Sequence, residues 1–478
     1  MSSSTGFLNP NDYALSNLLL LTAVDTFDLK NMMIEVAYTE DMFDNVSYGY
    51  VVLAEAMGYI ETLAMMGNEF IRLTFSKNGD TTSQIDKVFR VYKLGNRKLE
   101  GTPYKESYIL YFCSEELLLS SQYKISKAYK SYIVSDIVTD ILNTYLQVPS
   151  TRIGTIEQTY GQYGFVVPCL NPFDTINWLT IYARTNPTNG AGSDMIFYED
   201  KFGFNFRSIQ TLMKQTPYYT YTYKPKNLNS EDLNTSSYNV TSYEILNSFD
   251  SLDAIHSGVF ANQLISVNPL TRTRQVTNFD YNQYTNGNAG IAGTGSPYTN
   301  PTYGNPPVPS TTNTTPGKLL NAYPITNNFA NRNGDGLNQT PQSLIKLVFS
   351  NTDSNKNSYI AQGPDNSGGN DIFAETYIPY RTAQLALANY TRVRIAVPGD
   401  SNLTVGRVIT FNLMTRNPNS TDLDKYYSGN YLITGVKHLI GLTDYKTILE
   451  ITKESVPTAY PNVDNSSTIF KNTVKGII

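Results

Sequence analysis

The sequence predicts an α+β protein dominated by β-structure: two antiparallel β units, each a barrel or a sandwich, joined by a smaller α+β domain, with a long loop insertion. Three observations lead to this prediction. Short segments rich in β-forming residues recur in two parts of the chain, and helical spacing of apolar residues replaces them in between. In addition, one long stretch is almost free of charge. A length of 478 residues allows about three domains at roughly 150 residues each.

The first β unit is expected over residues 15–115. An early apolar run, from Leu18 to Val24, predicts a buried strand, because it is too short to cross a bilayer. In a later segment, period-two alternation places Ile71, Leu73 and Phe75 on one face. The other predicted strands lie near residues 32–38, 48–53, 87–93 and 107–112. Residues 53–66 have a weak helical character, which Gly58 reduces further.

The α+β joining domain is expected over residues 116–225. A stripe of apolar residues four apart predicts a helix over 131–146, and its members are Ile133, Ile137, Ile141 and Tyr145. A second helix should begin at Asn171, with Pro172 in the first turn and Asp174 favourably placed for the helix dipole. Residues 194–199 and 202–207 predict a hairpin that turns near 200–201.

The second β unit is expected to be discontinuous, formed by residues 240–280 and 390–455. Its predicted strands are 258–267, 391–397, 406–412, 429–437 and 445–453, and a predicted helix at 383–388 leads into the strand at 391–397. Residues 281–375 separate the two parts as a Gly/Asn/Pro/Thr-rich insertion. Between 281 and 316, 27 of 36 residues are Gly, Pro, Asn, Ser or Thr, so this stretch cannot bury a core of its own. Residues 456–478 are predicted to form an extended C-terminal tail.

Composition argues against several classes of function. Only 16% of residues are charged and the net charge is −5, which does not suit a protein that binds nucleic acid through phosphates. Cys113 and Cys169 are too few for a disulfide framework or a four-thiolate zinc site, and His256 and His438 lie in no metal-binding pattern. We therefore predict no enzyme activity, no cofactor and no catalytic, cofactor-binding or metal-ligating residues. The N-terminus lacks the basic region of a secretory signal, so we expect synthesis in a cytoplasm and no membrane insertion.

One turn partly fits a calcium-binding loop. Oxygen-bearing residues alternate through 331–336, and glycine allows the sharp turn. However, the first ligand position is Asn331 rather than aspartate, and the twelfth is Gln342 rather than a bidentate glutamate. An ordinary Asn/Gly turn is the preferred interpretation. The sequence leaves open whether a cation binds near Asn331–Gly336.

Two acidic groups are further cation candidates: Glu40 and Asp41 with Asp44, and Asp422 with Asp424. Solvated loop carboxylates are the simpler interpretation of both. Glycosidases need only two suitably separated carboxylates, so scarce histidine does not exclude one.

Tyrosines of the run 218–223 can stack on sugars or pack on a neighbouring domain or subunit. The sequence contains no GxGxxG, GxxxxGK or GxSxG motif. Catalysis has no positive support from these observations.

Several segments resemble the baseplate hub proteins of contractile-tailed, T-even-like bacteriophages. In the middle of the chain these are 125–129, 135–142, 171–179, 194–199 and 203–208. Segments of the first predicted β unit also match, at 40–43, Gly49 and 67–70. Near the other end the matching segments are 397–400, 405–406 and 428–433.

The resemblance implies a structural role. Such hubs have two tail-tube-like barrels per chain and form a homotrimeric ring of six barrels, which adapts the six-fold tail tube to the three-fold spike. The implied location is the virion tail baseplate. The implied partners are the spike, tail-tube or tube-initiator subunits, the tape measure protein and wedge proteins, and the insertion is expected to reach neighbouring baseplate proteins. DNA would pass through the ring without specific binding, which a low-charge, slightly acidic chain favours. The alternative is a tail-associated carbohydrate-active enzyme or glycan-binding adhesin.

Overall fold

The structure is a computed structural model that describes most of residues 10–458. The exceptions within this range are 24, 57, 59–64, 78–79, 81, 100–104, 185–192, 225–236, 249, 260, 269–271, 281–319, 322, 325–343, 350–377, 379–380, 383–384, 387–389 and 416–421.

Seven antiparallel strands form the first part of a large sheet. In chain order, β1 to β7 are Tyr13–Leu21, Thr26–Asp28, Met33–Asp41, Tyr48–Glu55, Phe70–Lys77, Ile85–Leu99 and Glu106–Cys113. They are arranged in the order β2-β1-β5-β6-β7-β4-β3. The alternation predicted for β5 is confirmed, since Ile71, Leu73 and Phe75 are all fully buried. The predicted buried strand near residue 18 is β1, where Leu18 and Leu20 enter the same core.

A mixed α+β segment follows. Its helices α1 to α4 are Glu116–Gln122, Val134–Thr144, Pro172–Thr180 and Ile209–Met213, and its strands β8 to β12 are Ala128–Tyr132, Ile153–Ile156, Tyr163–Val166, Met195–Glu199 and Phe204–Ser208. The two predicted helices are confirmed as α2 and α3, and Ile137 and Ile141 of α2 are fully buried. Asn171 has the extended backbone of an N-cap, but its side chain makes no capping hydrogen bond. The predicted hairpin is β11 and β12, which pair antiparallel.

The remaining described residues contribute eleven more strands and a six-residue helix. Strands β13 to β18 are Thr220–Tyr223, Ser242–Asn247, Ala261–Asn268, Thr273–Asp280, Tyr323–Pro324 and Ile345–Phe349, and helix α5 is Ser251–His256. Strands β19 to β23 are Thr391–Pro398, Val408–Leu413, Gly429–Gly441, Tyr445–Lys453 and Ser455–Val456. Four of these strands lie side by side in the large sheet, in the order β14-β19-β22-β21. Strand β20 pairs with both β21 and β13.

Strand β21 makes the large sheet continuous. Its first residues, from Gly429 to Leu432, pair with β20, whereas Gly435–Gly441 pairs antiparallel with β3. Along most of its length the other edge of β21 pairs with β22. One strand therefore belongs to both β-rich halves of the molecule, and the thirteen described strands of this sheet form a β-dominated fold, as predicted.

Strand pairing differs from the predicted second barrel. Of residues 240–280, only β14 joins the large sheet, while β15 and β16 form a separate three-stranded sheet with β18 from within the predicted insertion. Conversely, β13 comes from the predicted joining domain but pairs in parallel with β20. The physical reason is that period-two alternation marks a strand without specifying its partner, because the partner is set by contacts distant in sequence.

Some predictions lie wholly or mainly outside the described residues. These are the turn at 331–336 and most of both the insertion and the C-terminal tail. The weak helical character predicted for 53–66 is wrong for residues 53–55, which end strand β4, and half of that range lies outside the described residues. Among the described residues of these regions, β17 of the insertion pairs with β23 at the start of the tail. Within the predicted helix at 383–388, residues 385 and 386 are described and are helical.

The structure has three parts: the first β-rich half (β1 to β7), the α+β segment and the C-terminal β-rich half. Their hydrophobic cores share residues across the boundaries between the parts. The core of the first seven strands includes Ile440 and Tyr445 from the C-terminal half. The C-terminal core in turn includes Met42, which follows β3, together with Ile196 and Tyr198 of β11. Because the cores share residues, polar groups from all three parts meet at a common junction.

Candidate functional site

A loop between β19 and β20 lies where the three parts meet. This junction loop, residues 399–405, begins at Gly399, whose added Cβ would lie 2.0 Å from the Tyr445 ring. The Gly399 N–H donates to the Tyr445 carbonyl (2.9 Å), and the Asp400 N–H donates to the Thr447 hydroxyl (3.1 Å). Glycine is required at position 399 because any side chain would overlap the ring, so the loop is held tightly against β22.

The same loop contacts the first β-rich half and the α+β segment. Ser401 Oγ accepts a hydrogen bond from the Lys77 N–H (3.2 Å) and lies 2.8 Å from the hydroxyl of Ser83. From the α+β segment, Lys201 Nζ donates to the Ser401 carbonyl (3.0 Å). Asn402 Nδ2 donates to Asp80 Oδ2 (3.3 Å). A single short loop thus connects all three parts through directional hydrogen bonds.

Glu40 is buried beside the junction loop. It lies on the inward face of β3, and it has no exposed surface. Its Oε1 accepts from the Tyr38 hydroxyl (2.9 Å), and its Oε2 accepts from the Thr404 hydroxyl (2.5 Å) and the Val405 N–H (3.1 Å). Burial raises the pKa of Glu40 to about 7, although the nearby Lys87 opposes that rise. These bonds connect β3 directly to the C-terminal half.

A second buried carboxylate, Glu199, connects the first half to the α+β segment. It lies at the end of β11 and accepts hydrogen bonds from Lys87 Nζ (3.0 Å) and Arg152 Nη2 (3.0 Å). Its other oxygen accepts from the Ser47 N–H (2.8 Å) and from the Ser47 and Ser114 hydroxyls (2.9 and 2.5 Å). Burial alone would raise the pKa of Glu199, but the two cations and these donors lower it to about 2. Glu199 is therefore a fully compensated buried anion.

The cations around Glu199 are shared with other acceptors. Lys87 Nζ also donates to the Asp200 carbonyl (2.5 Å), and Arg152 Nη1 donates to Glu116 (2.6 Å). The resulting network spans β6, β11, α1 and the turn before β9. Buried ionic groups in such a network are satisfied only in one arrangement of the elements, so the network defines how the first half meets the α+β segment.

His438 is a packed core residue. Its imidazole stacks on Tyr38, with ring centroids 5.8 Å apart and planes 7° apart, and Nδ1 lies 2.7 Å from the Tyr445 hydroxyl. Burial and the charge of Lys201 lower the pKa of His438 to about 3, so the ring stays neutral at physiological pH. The other histidine, His256, ends α5.

The acidic candidates take on separate structural roles. Glu40 points inward, whereas Asp41 Oδ1 accepts from the Phe43 N–H (2.8 Å) in the turn after β3. Asp424 accepts from the Tyr426 and Tyr427 N–H groups, both at 2.8 Å. Within the described part of the chain, no three His, Cys, Asp or Glu side chains converge as a metal site. The turn at 331–336 lies outside the described residues.

Two surface clefts are separate from the junction. One, of about 550 Å³, is lined by residues around α5 and by the cations Lys346, Arg381 and Arg392. The other, of about 560 Å³, is lined by Tyr218, Tyr219 and Tyr238 with polar neighbours. The buried carboxyl groups with a raised pKa, such as Glu40, line neither cleft. The tyrosine run 218–223 thus lies partly in a cleft and partly in β13, where Tyr221 is fully buried.

The sequence did not predict the buried polar groups at the junction, although signals for Lys87 and Glu40 are present. In β6, period-two alternation places Lys87 on the same face as the buried Phe89 and Val91. In β3 it places Glu40 with Val36 and Tyr38. A charged residue on an inward face indicates a buried ionic or hydrogen-bonded group, but the sequence does not identify its partner.

Comparisons with known proteins bear on the fold. No protein-family model and no curated protein matches the sequence. Among solved structures, a 43 kDa tail protein of prophage MuSo2 from Shewanella oneidensis matches with a TM-score of 0.50 and 6% identity, over 92% of this chain and 98% of that one. A tail protein from Neisseria meningitidis MC58 matches with a TM-score of 0.49 and 10% identity, over 94% of this chain and 99% of that one. The prophage tail protein gp18 from Listeria monocytogenes EGD-e matches with a TM-score of 0.44 and 8% identity, over 97% of this chain and 98% of that one.

The similarity defines a class of fold. The chain has the β-rich fold of the Shewanella prophage tail protein, along nearly the whole length of both. Among the described residues, no helix is both long and apolar enough to span a membrane.

Proposed function

We propose that this chain is the structural baseplate hub of a contractile phage tail, a non-enzymatic protein that adapts the six-fold tail tube to the three-fold spike. One observation carries the proposal. Strand β21 pairs with β20 in one half and with β3 in the other, so two β-rich halves share one sheet. This arrangement is compatible with two barrels per copy, and the tail-protein fold is consistent with it.

The two halves correspond to two tail-tube-like barrels in this proposal. The first spans residues 15–115, and the second uses β13 and β14 with β19 to β22. A hydrogen bond between β22 and the residues before β1 favours curvature of the large sheet, because those strands are not neighbours in it: the Tyr445 N–H donates to the Asn11 carbonyl (3.1 Å). In the second half, the Thr222 N–H donates to the Tyr238 carbonyl and the Val240 N–H to the Thr222 carbonyl (3.2 and 3.0 Å), which brings β13 towards β14.

Three copies would form a ring of six barrels at the baseplate of the virion. Its partners would be the spike on one side, tail-tube or tube-initiator subunits on the other, the tape measure protein and wedge proteins. A net charge of −5 with few charged residues suits a channel through which DNA passes without being retained.

The buried junction supports a mechanical role. A hub must keep its domains in register while the tail contracts, and the Glu199 network and the junction loop link the three parts by short, directional contacts. Breaking such contacts would leave buried charges unpaired. The role therefore depends on rigid packing, for which no reacting group is needed.

The mass of the purified full-length protein, alone and with its spike, tests the proposal. Light scattering should give three times the chain mass of 53.4 kDa, and electron microscopy of that species should show a ring with an axial channel. A protein that stays monomeric in both conditions would contradict the hub function.

A glycan-binding adhesin is the second candidate function, favoured by the cleft lined by Tyr218, Tyr219 and Tyr238. Aromatic faces in a cleft can stack on sugar rings. Binding of host surface glycans that is lost in Tyr219→Ala, with the same oligomeric mass as the wild type, would support the adhesin instead of the hub.

A further inference from the structure

The separate three-stranded sheet of β15, β16 and β18 has one buried face. Along β15 the side chains of Asn262, Leu264 and Ser266 are buried, and Asn262 Nδ2 donates to the Gly258 carbonyl (2.9 Å). Successive side chains of a strand point to opposite faces. The intervening residues of β15 and their partners on β16 and β18 therefore form the outer face of this sheet.

That outer face is apolar at its centre. Ile265 pairs with Val276 on one side and with Leu347 on the other, so the three side chains form one row across the sheet. Val276, Leu347 and the neighbouring Ile345 are all exposed, and Leu347 is 65% exposed. Contiguous exposed apolar residues of this kind mark a surface that another protein covers.

Polar groups border the apolar row. On one side, Arg274 of β16 lies opposite Val267, Arg272 precedes the strand, and both arginines are exposed. On the other side, Gln263 donates to Asn278 (3.0 Å). This small-sheet patch thus has an apolar centre and a basic edge, and it consists of Ile265, Val276, Ile345 and Leu347 with Arg272 and Arg274.

The first β-rich half carries a second exposed patch, which is aromatic. Phe43, in the turn between β3 and β4, is 51% exposed, and Tyr48 of β4 and Tyr92 of β6 are also exposed. Tyr48 and Tyr92 lie close enough to interact electrostatically. Aromatic residues are enriched at the centre of protein interfaces, so this patch has the composition of a contact surface.

The edge of the aromatic patch is acidic. Asp44 is exposed and follows Phe43 directly, and the Asp41 carboxylate accepts a hydrogen bond from the Phe43 N–H (2.8 Å). Burial and the charges of nearby carboxylates, first Asp44 and then Asp41, raise the pKa of Tyr48, because both acids lie near its hydroxyl. This Phe43 patch consists of Phe43, Tyr48 and Tyr92 with Asp41 and Asp44.

The charges at the edges make each patch complementary to the other and not to itself. Two small-sheet patches in contact would bring the arginines of two copies together, and two Phe43 patches would bring their aspartates together. Opposite charges meet only when a small-sheet patch packs on a Phe43 patch. A closed ring of three copies is built from such contacts, in which different surfaces of neighbouring copies meet.

We propose that the small-sheet patch of one copy binds the Phe43 patch of the next copy, and that three such contacts close the homotrimer. The inference rests on the proposed hub function, for which it assigns the two surfaces that join the copies. In a closed ring every copy uses each patch once, so all exposed apolar rows and aromatic patches of this kind are covered.

Two variants of the full-length protein each disable one patch. Leu347→Asp places a charge in the apolar row of the small-sheet patch, and Phe43→Asp places one in the centre of the Phe43 patch. By light scattering without the spike, the wild type should have three times the chain mass of 53.4 kDa, and each variant alone should have that chain mass.

An equimolar mixture of the two variants tests whether the patches bind each other. The Phe43→Asp chain keeps its small-sheet patch and the Leu347→Asp chain keeps its Phe43 patch, so one contact can form but no ring can close. The mixture should therefore have twice the chain mass. A contact between identical patches would not give this result, because each variant would then associate by itself or not at all.

Further variants separate loss of the contact from loss of the fold. Leu442→Asp alters a similarly exposed leucine in the turn after β21 and should stay trimeric. Arg274→Glu leaves the apolar row intact but reverses the charge at its edge, and it should raise the concentration at which the trimer half-dissociates by about tenfold. Thermal unfolding of all four variants should resemble that of the wild type, because the replaced side chains are exposed.

Several results would overturn the inference while the hub proposal stands. These are a trimer that persists in Leu347→Asp or Phe43→Asp, a mixture that keeps the single chain mass, and a wild type that is trimeric only with its spike. A Leu347→Asp trimer that no longer binds the spike would assign the small-sheet patch to the spike instead. A wild type that stays monomeric with and without the spike would contradict the hub itself.

Discussion

Lys87 of β6 and Glu199 of β11 form a salt bridge of 3.0 Å with almost no solvent exposure, their side chains being 7% and 0% exposed. The pair connects the first β-rich half to the α+β segment across 112 residues of chain. Both ions are desolvated, so their contact stabilises the structure only while every partner is present.

Removal of one ion from this pair should be costly. Lys87→Met leaves Glu199 with Arg152 but without its nearest ammonium group, and we expect the free energy of unfolding to fall by about 3–5 kcal/mol. Denaturant unfolding of the full chain measures this loss. Arg72→Ala breaks an exposed pair with Asp86 (2.8 Å), and it is the matched control, with little expected change. Equal effects of the two variants would contradict the importance of the buried network.

Acid should weaken the same network. The pKa of Glu199 is lowered from 4.5 to about 2 in the folded protein, so its stabilisation is complete above about pH 4.5 and is lost as the pH falls towards 2. The loss over that range should be about 3 kcal/mol. Denaturant midpoints measured from pH 5 to pH 2 should show a shallower decline in Glu199→Gln than in the wild type. Glu115→Gln, at a more exposed carboxyl (46% exposed), should decline as the wild type does.

Close packing of the junction loop on β22 should make Gly399→Ala destabilising. The new Cβ would lie 2.0 Å from Tyr445 Cδ1, and overpacking of this kind typically costs about 1–3 kcal/mol. Thermal unfolding measures the change. Gly435→Ala is the control, because its Cβ would meet Glu450 Cβ at an ordinary 3.4 Å; a comparable loss in both variants would contradict the role assigned to Gly399.

The two cysteines should differ in reactivity. Cys169 is exposed and Cys113 is buried, and burial raises the pKa of the Cys113 thiol to about 12, which suppresses the reactive thiolate. Mass spectrometry after treatment with a maleimide should detect one adduct on the native protein and two on the unfolded protein. Native Cys169→Ser should remain unlabelled, and rapid native labelling of that variant would contradict the burial of Cys113.

Local elements were predictable because their signals are local. The stripe through Ile137 and Ile141 predicted α2, and Asn171-Pro172 predicted the start of α3. Alternation predicted the inward face of β5 in the same way. In each case the burial of a side chain follows from the repeat of the helix or strand itself.

Long-range pairing was not predictable from such signals. Strand β18 pairs with β15 rather than remaining part of a loop, and β13 pairs in parallel with β20. Alternation is equally compatible with many partners, so only the sum of tertiary contacts selects one. The candidate site was missed for the same reason, since Lys87 and Glu199 are ordinary residues until the fold brings them to 3.0 Å.

The sequence by itself determined the β-dominated class, the α+β segment in the middle and the low charge of the chain. Only the tertiary structure decided that β21 serves both halves and that Glu40 and Glu199 lie buried at the junction between the parts. The physical reason is the distance along the chain over which each effect acts. Propensity and periodicity act over a few residues, whereas desolvation and ion pairing depend on which distant segments exclude water from a group.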